Sequence, residues 1–196
     1  MVTKTAKVQP YPIVSVFGSS RALPSDPDYA VARRLGQLVA KQGWTLCNGG
    51  HEGTMEAAAL GAKEFGGATI GVSLSLYRPT SPNRWLDQEI VAETLFSRLE
   101  KLASLADAYI ALHGGIGTLL EVSLVWNLVQ TKAFELKPLV VVGPEWNGIF
   151  HAYQENLALR PDEAARLTLV DSIEDAVDYL TAHLRPRGAM RAKPQS

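Results

Sequence analysis

Residues 113–121 read His-Gly-Gly-Ile-Gly-Thr-Leu-Leu-Glu and directly follow the apolar run at 108–112. The pattern predicts a strand that enters a glycine turn, from which a helix begins near Thr118. Backbone N–H groups in such a turn can close on an anion, and the helix N-terminus adds partial positive charge. Glu121 then lies one turn inside the helix, so we expect a carboxylate beside a bound phosphate. The residues of this predicted phosphate-binding loop are Gly114, Gly115, Gly117 and Thr118.

Two earlier apolar runs, at 13–17 and 44–47, also end in turns of small residues. In a parallel sheet the carboxyl ends of the strands share one edge, and ligands bind there at a topological switch point. The contact residues predicted from these turns are Gly18, Ser19, Ser20, Gly49 and Gly50. Tight strand-to-helix geometry alone is the alternative explanation for each turn. Neither a dinucleotide fingerprint nor a Walker A motif is present, which disfavours nicotinamide-dependent dehydrogenases and nucleoside triphosphatases.

Glu121 and Arg98 are charged residues on apolar helical stripes. Thr118 and Glu121 match a capping box, which is the structural alternative for the glutamate. Against it, the helix at 118–131 is apolar almost all round, which indicates burial, and an unpaired buried charge is costly. Arg98 has no acid three or four residues away. It either extends along the edge of its stripe or enters the cleft to pair with Glu121 or a substrate anion.

The order of elements predicts the fold. Apolar β-rich runs alternate with helical patterns, which indicates a mostly parallel sheet covered on both faces, a Rossmann-like three-layer α/β/α architecture. The predicted strands are 13–17, 44–47, 69–73, 108–112, 138–142 and 167–170. The predicted helices are 27–42, 54–65, 92–106, 118–131, 146–157 and 172–184. Residues 74–88 show no clear period and predict a long loop over the site.

Composition and charge limit the functions that the chain could have. The chain has 196 residues and a net charge of −1, which gives no nucleic-acid footprint. Its single cysteine, Cys47, is expected to be a small buried hydrophobe. We expect a cytoplasmic protein without a signal peptide or membrane span, and no metal-ligand spacing is present. The predicted organisation is an N-terminal extension (1–12), a single domain (13–185) and a disordered C-terminal tail (186–196).

These residues together resemble the LONELY GUY (LOG) family, whose members are often mislabelled lysine decarboxylases. The family carries P-G-G-x-G-T-x-x-E after a strand and an arginine on the preceding helix. Here residues 113–121 and Arg98 match that pattern. The segments 16–20 and 48–56 also match, and the resemblance covers roughly residues 13–143.

The resemblance implies a homodimeric enzyme that hydrolyses the N-glycosidic bond of a nucleoside 5′-monophosphate such as AMP. The products are the free base and ribose 5-phosphate, and in cytokinin-activating members the base is an N6-substituted adenine. The catalytic pair falls on Arg98 and Glu121, and the arginine is expected to lower the pKa of the glutamate. The proposed reaction needs no metal and no organic cofactor. The net charge and the lack of a long apolar run predict no nucleic-acid or membrane partner.

The sequence departs from the family pattern at three positions. His113 replaces a proline, Leu99 replaces a lysine found in many members, and Asn48 replaces the first of three glycines. His113 itself is interpreted as structural. These differences leave room for an alternative: a non-catalytic nucleotide-binding protein, similar to the molybdenum-cofactor carriers, which share this fold and a related glycine loop.

Overall fold

A parallel β-sheet forms the centre of the computed structural model, which describes residues 12–77, 82–131, 133 and 135–184. The strands in these ranges are β1 (Ile13–Phe17), β2 (Thr45–Asn48), β3 (Thr69–Leu74), β4 (Gln88–Ala92), β5 (Ala108–Ala111), β6 (Leu139–Val142) and β7 (Thr168–Val170). Their order across the sheet is β4-β3-β2-β1-β5-β6-β7, and every pair is parallel. The strand order reverses between β1 and β5, which makes this edge the expected binding crevice.

Helices cover both faces of the sheet. They are α1 (Pro27–Lys41), α2 (Thr54–Glu64), α3 (Leu95–Leu105), α4 (Ile116–Gln130), α5 (Glu145–Asn156), the short α6 (Pro161–Ala164) and α7 (Ile173–His183). Along β1 the side chains alternate: Val14 and Val16 join the core under α1, α2 and α7, whereas Ile13 and Phe17 join the core under α3, α4 and α5. Burial on both faces explains the continuous apolar runs, and the predicted three-layer fold is confirmed.

Helices α1 and α2 approach each other backbone to backbone. A Cβ atom on Gly36 would lie 2.0 Å from the carbonyl oxygen of Ala58, and one on Gly61 would lie 1.9 Å from that of Arg33. Any side chain at either glycine would therefore force the helices apart. Because α1 follows β1 and α2 follows β2, this contact also positions the loops at the carboxyl ends of those strands.

Strand β4 is a feature that the sequence pattern missed. Residues 74–88 were expected to be a loop and residues 92–106 a helix, but 88–92 pair in parallel with β3 and α3 begins only at Leu95. The strand lies at the edge of the sheet and includes Gln88 and Glu89, and four of its five residues are not buried. An edge strand of this kind lacks the apolar run of a central strand. Helix α6 was also not predicted.

The predicted domain limits are only partly covered. The N-terminal extension, apart from Pro12, and the predicted C-terminal tail lie outside the described residues, as do residues 78–81 of the predicted long loop. The boundaries at 13 and 185 therefore stay predictions. In the described part of the chain no helix is both long and apolar enough to cross a bilayer.

Candidate active site

A cavity of about 660 Å³ opens at the carboxyl ends of β1, β2 and β5. All three predicted small-residue turns reach it. The predicted site residues that line it are Gly18, Ser19, Ser20, Gly49, Arg98, Gly114, Gly115, Gly117, Thr118 and Glu121. Gly50 is not among them: its φ of 75° closes the second turn, and its backbone packs against Gly71 and Leu86. The structure therefore brings nearly all of the predicted site together at the switch point.

Helix α4 presents an uncapped N-terminus to this cavity. Gly115 is the N-cap residue and provides no side-chain cap, and the first intrahelical bond runs from the N–H of Leu119 to the carbonyl of Gly115. Several N–H groups of the first turn are thus left for a ligand, which is the usual setting of an anion site. Gly114 must remain small, because a Cβ there would lie 2.2 Å from the Thr118 hydroxyl.

The helix start corrects one sequence expectation. The helix begins at Ile116 instead of Thr118, so Thr118 is the third helical residue and cannot cap the helix. The capping-box explanation of Glu121 is therefore wrong. A glycine cap leaves no side-chain signature in the sequence, whereas Thr118 resembles a cap residue, which explains the error.

Arg98 and Glu121 meet inside the cavity. The Nη1 atom of Arg98 lies 3.3 Å from the Oε1 atom of Glu121, and the two side chains are 11% and 12% exposed. The Nε–H of Arg98 donates to the carbonyl oxygen of Val72 at 2.8 Å. The guanidinium is therefore held by α4 on one side and β3 on the other. The arginine enters the cleft, and the alternative that it extends along the stripe edge is wrong.

Gly49 makes room for this guanidinium. A Cβ atom on Gly49 would lie 2.0 Å from the Nη2 atom of Arg98 and 2.6 Å from the sulfur of Met55. Asn48, which departs from the family's glycine, closes the turn: its amide donates to the Met55 carbonyl at 2.9 Å and accepts from the Gly50 N–H at 2.8 Å. The second glycine turn is thus built around the arginine.

Burial controls the ionisation of Glu121. Removal of the carboxyl from water raises its pKa from the ordinary value of 4.5 to about 7, although Arg98 acts in the opposite direction. Arg98 lowers this pKa as expected, but burial has the larger effect, so the expectation that the arginine holds the glutamate ionised is wrong. The contact is long at 3.3 Å, and the guanidinium shares its donors with the Val72 carbonyl. With a pKa of about 7, the carboxyl is partly protonated at neutral pH.

Sequence reasoning assigned no role to Arg21 and Met55 and left His51 undecided, yet all three line the cavity. Burial, followed by the nearby charge of Arg98, lowers the pKa of His51. Its carbonyl accepts a hydrogen bond from the Asn83 amide, and the Asn83 N–H donates to Gly50. For Arg21 and His51 the available signal was a polar residue directly after a turn of small residues.

His113, interpreted from sequence as structural, connects the phosphate-binding loop to α1. Its Nδ1 atom lies 2.8 Å from the Oδ2 atom of Asp28, and both side chains are substantially exposed. The imidazole also borders the cavity. The residue that replaces the family's proline therefore links the loop that enters α4 to α1.

Helix α4 is not buried all round, contrary to the sequence expectation. Ile116 is 83% exposed and Leu120 is 42% exposed on one stripe of the helix. On the neighbouring α3, Phe96 is 84% exposed. An apolar surface of this kind is typical of a protein interface. Among the described residues no cluster of three or more His, Cys, Asp or Glu side chains is suited to hold a metal.

Known proteins resemble this chain over most of its length. It is 33% identical over 156 residues to the cytokinin riboside 5′-monophosphate phosphoribohydrolase of Mycobacterium tuberculosis, which covers 75% of this chain and 82% of the relative. It is 26% identical over 165 residues to the pyrimidine/purine nucleotide 5′-monophosphate nucleosidase of Escherichia coli, covering 79% of this chain and 36% of that protein.

Solved structures share the fold. The molybdenum cofactor binding protein from Rippkaea orientalis superposes with a TM-score of 0.72 at 27% identity, covering 89% of this chain and 98% of that one. The model of the SLOG cluster4 family matches residues 11–176, a range that includes all three glycine turns and the Arg98–Glu121 pair. The match confirms the resemblance to LOG proteins, and the chain belongs to the SLOG cluster4 family.

Proposed function

We propose that this chain is a nucleoside 5′-monophosphate phosphoribohydrolase, which hydrolyses the N-glycosidic bond to give the free base and ribose 5-phosphate. The observation that carries the proposal is the Arg98–Glu121 pair, buried in a cavity beside the open N-terminus of α4. The relatives named for hydrolysis of nucleoside monophosphates support the same reaction. AMP is the first substrate to test.

The phosphate group is assigned to the N-terminus of α4. Its free N–H groups and the small residues Gly114, Gly115, Gly117 and Thr118 suit a dianion. The β1 turn, at 18–20, supplies further polar contacts through its two serines. Glu121 follows Thr118 by about one helical turn, roughly 5 Å along the axis. Binding of the remote phosphate therefore positions the ribose against the carboxyl of Glu121.

Glu121 is assigned the chemical role. Cleavage of an N-glycosidic bond develops positive charge at the anomeric carbon, as in glycoside hydrolysis. The ionised carboxylate stabilises that charge, orients a water molecule and accepts its proton as the C–O bond forms. The base departs with the electron pair of the broken C–N bond and takes a proton from solvent, so that one water molecule is consumed overall. A carboxyl whose pKa is about 7 is suited to this proton transfer at neutral pH.

The proposal is tested by incubating the purified protein with AMP and separating the products by chromatography. Equimolar adenine and ribose 5-phosphate are expected. Tight nucleotide binding with no adenine release contradicts the hydrolase and favours the second candidate, a non-catalytic carrier. That candidate is supported by the likeness to molybdenum-cofactor proteins, including the carrier of Chlamydomonas reinhardtii at 27% identity and a TM-score of 0.68.

Gly49→Ala is expected to lower kcat about 100-fold while the protein still folds, since a misplacement of about 1 Å can have this effect. The new methyl group would stand 2.0 Å from the guanidinium of Arg98 and displace it from Glu121. The rate of adenine release and the circular dichroism spectrum measure this. Gly148→Ala is the matched control, because its Cβ would meet no atom within 4 Å. Wild-type turnover in Gly49→Ala contradicts the assigned role.

We also infer a homodimer, because the exposed side chains of Phe96, Ile116 and Leu120 give α3 and α4 an apolar surface. Phe96→Asp is expected to shift the dimer towards monomer in sedimentation equilibrium, since a charge would be buried without a partner. Phe65→Asp is the control, because Phe65 is also exposed but lies at the end of α2, beside Lys41. A wild-type protein that sediments as a monomer at micromolar concentration contradicts the dimer.

A cytoplasmic location stays a prediction, and the state of the cysteine fits it. Cys47 is fully buried in β2, and burial raises the pKa of its thiol to about 11. The expected small buried hydrophobe is confirmed. A thiol of this kind is inert and forms no disulfide within the chain.

A further inference from the structure

A second cavity of about 460 Å³ adjoins the first, between the N-terminal ends of α1 and α2. The two cavities share Ser20 and Arg21 in their walls. The other polar or charged residues that line the second cavity are Tyr29, Glu52, Glu56, Asn83 and Arg84. The shared wall places this space beside the first cavity, and the proposed function assigns nothing to it.

The strand order determines which part of a nucleotide can reach this cavity. The phosphate-binding loop follows β5, and the second cavity lies beyond the neighbouring β1, against the loop after β2. Adjacent strands are about 4.8 Å apart, so two strands span roughly 10 Å, about the distance from a 5′-phosphate across the ribose to its base. A nucleotide with its phosphate at α4 therefore directs its base towards the β1 and β2 loops.

The charges of the second cavity balance. Arg21 and Arg84 line it together with Glu52 and Glu56, so the lining provides both donors and acceptors with little net charge. The guanidinium of Arg84 lies 4.7 Å from the centroid of the Trp85 ring, a favourable cation–π contact. A balanced set of this kind does not favour a second phosphate. It fits a neutral heterocycle that carries amino groups and ring nitrogens.

We propose that the second cavity is the nucleobase subsite and that it selects a polar, unsubstituted base over one that bears an apolar N6 group. This inference rests on the proposed function, because it assumes a nucleotide in the first cavity. The carboxylates of Glu52 and Glu56 accept hydrogen bonds from an exocyclic amino group. An isoprenoid chain in the same place would strip water from those carboxylates and from Arg84 without replacing their hydrogen bonds, which is costly.

The test compares AMP with N6-isopentenyl-AMP on the wild-type protein, by kcat/KM and by calorimetric Kd. We expect kcat/KM to be at least about tenfold higher for AMP, the effect of about 1.4 kcal/mol. Glu56→Leu should reduce or reverse that ratio and leave the Kd of ribose 5-phosphate unchanged. Glu56→Gln, which keeps an acceptor oxygen, should give an intermediate ratio. Asp178→Asn, an exposed acid on α7, is the control and should behave as wild type.

The outcomes separate this inference from the proposed function. Base release that is equal or faster with the isopentenyl nucleotide overturns the inference and leaves the hydrolase intact. A ratio unchanged in both Glu56 variants overturns it as well. If neither nucleotide is cleaved, the hydrolase proposal fails, and the Kd values alone then decide: tighter binding of AMP supports the polar subsite, and equal or weaker binding overturns it.

Discussion

Glu121→Gln is expected to lower kcat for adenine release from AMP by about 10³-fold, with the fold retained. The amide keeps the shape of a side chain that is only 12% exposed, but it cannot accept the proton of the attacking water or carry negative charge. Product chromatography measures the rate, and circular dichroism verifies the fold. Glu155→Gln, an exposed acid on α5, is the matched control. Unchanged turnover in Glu121→Gln would remove the assignment.

The raised pKa of Glu121 adds a pH dependence to this prediction. The wild-type kcat should rise with pH through about 7, because the carboxylate is the active form. Stability should change in the opposite direction. Between 4.5, the ordinary value, and about 7, the folded protein keeps a proton that the unfolded chain has released. Raising the pH across this range therefore destabilises the wild type relative to Glu121→Gln.

Denaturant unfolding at pH 5 and pH 8 measures the stability effect. Since one pKa unit corresponds to about 1.4 kcal/mol, we expect the difference in free energy of unfolding between wild type and variant to change by about 1–3 kcal/mol. Below the ordinary value of 4.5 both states are protonated, and above about 7 both are ionised, so the difference should be constant outside the window. A difference that does not vary with pH contradicts the burial of an ionisable carboxyl.

Arg98→Ala is expected to lower kcat at neutral pH about 10²- to 10³-fold and to destabilise the protein. The truncation removes the donor to the Val72 carbonyl, and a buried acceptor left without a partner costs about 1–3 kcal/mol. It also removes the guanidinium that lowers the pKa of Glu121. That pKa should rise further, so the pH profile of kcat moves to higher pH.

The shift in the pH profile of kcat distinguishes an electrostatic role of Arg98 from a purely structural one. If Arg98 acts only as a structural support, Arg98→Ala lowers stability without moving the pH midpoint of kcat. Arg98→Lys keeps the charge but loses the forked geometry, so its midpoint should lie nearer to that of the wild type while its rate stays reduced. Arg34→Ala, at an exposed ion pair with Glu174, is the control and should change neither quantity by much.

The pairing of Arg98 with Glu121 could be anticipated because each charge interrupts an apolar stripe on its own helix. The turns after β1, β2 and β5 could also be predicted, since buried parallel strands have apolar sequences and these three end in small residues or glycine. Strand β4 could not be predicted, because the sequence of a half-buried edge strand, with residues such as Gln88, resembles that of a loop. The pKa of Glu121 depends on burial and on the 3.3 Å contact, two opposing effects that only the assembled structure can weigh.

The close contact of α1 with α2 bears on how products leave. Gly36 and Gly61 bring two backbones together with no side chain between them, so the loops that precede these helices cannot separate without breaking the contact. We therefore expect any widening of the mouth to occur at the opposite wall, the segment at 113–115 that enters α4. That segment is attached to α1 by the exposed His113–Asp28 pair, which is a weak tether. For the proposed reaction we therefore expect ribose 5-phosphate to leave past this short loop.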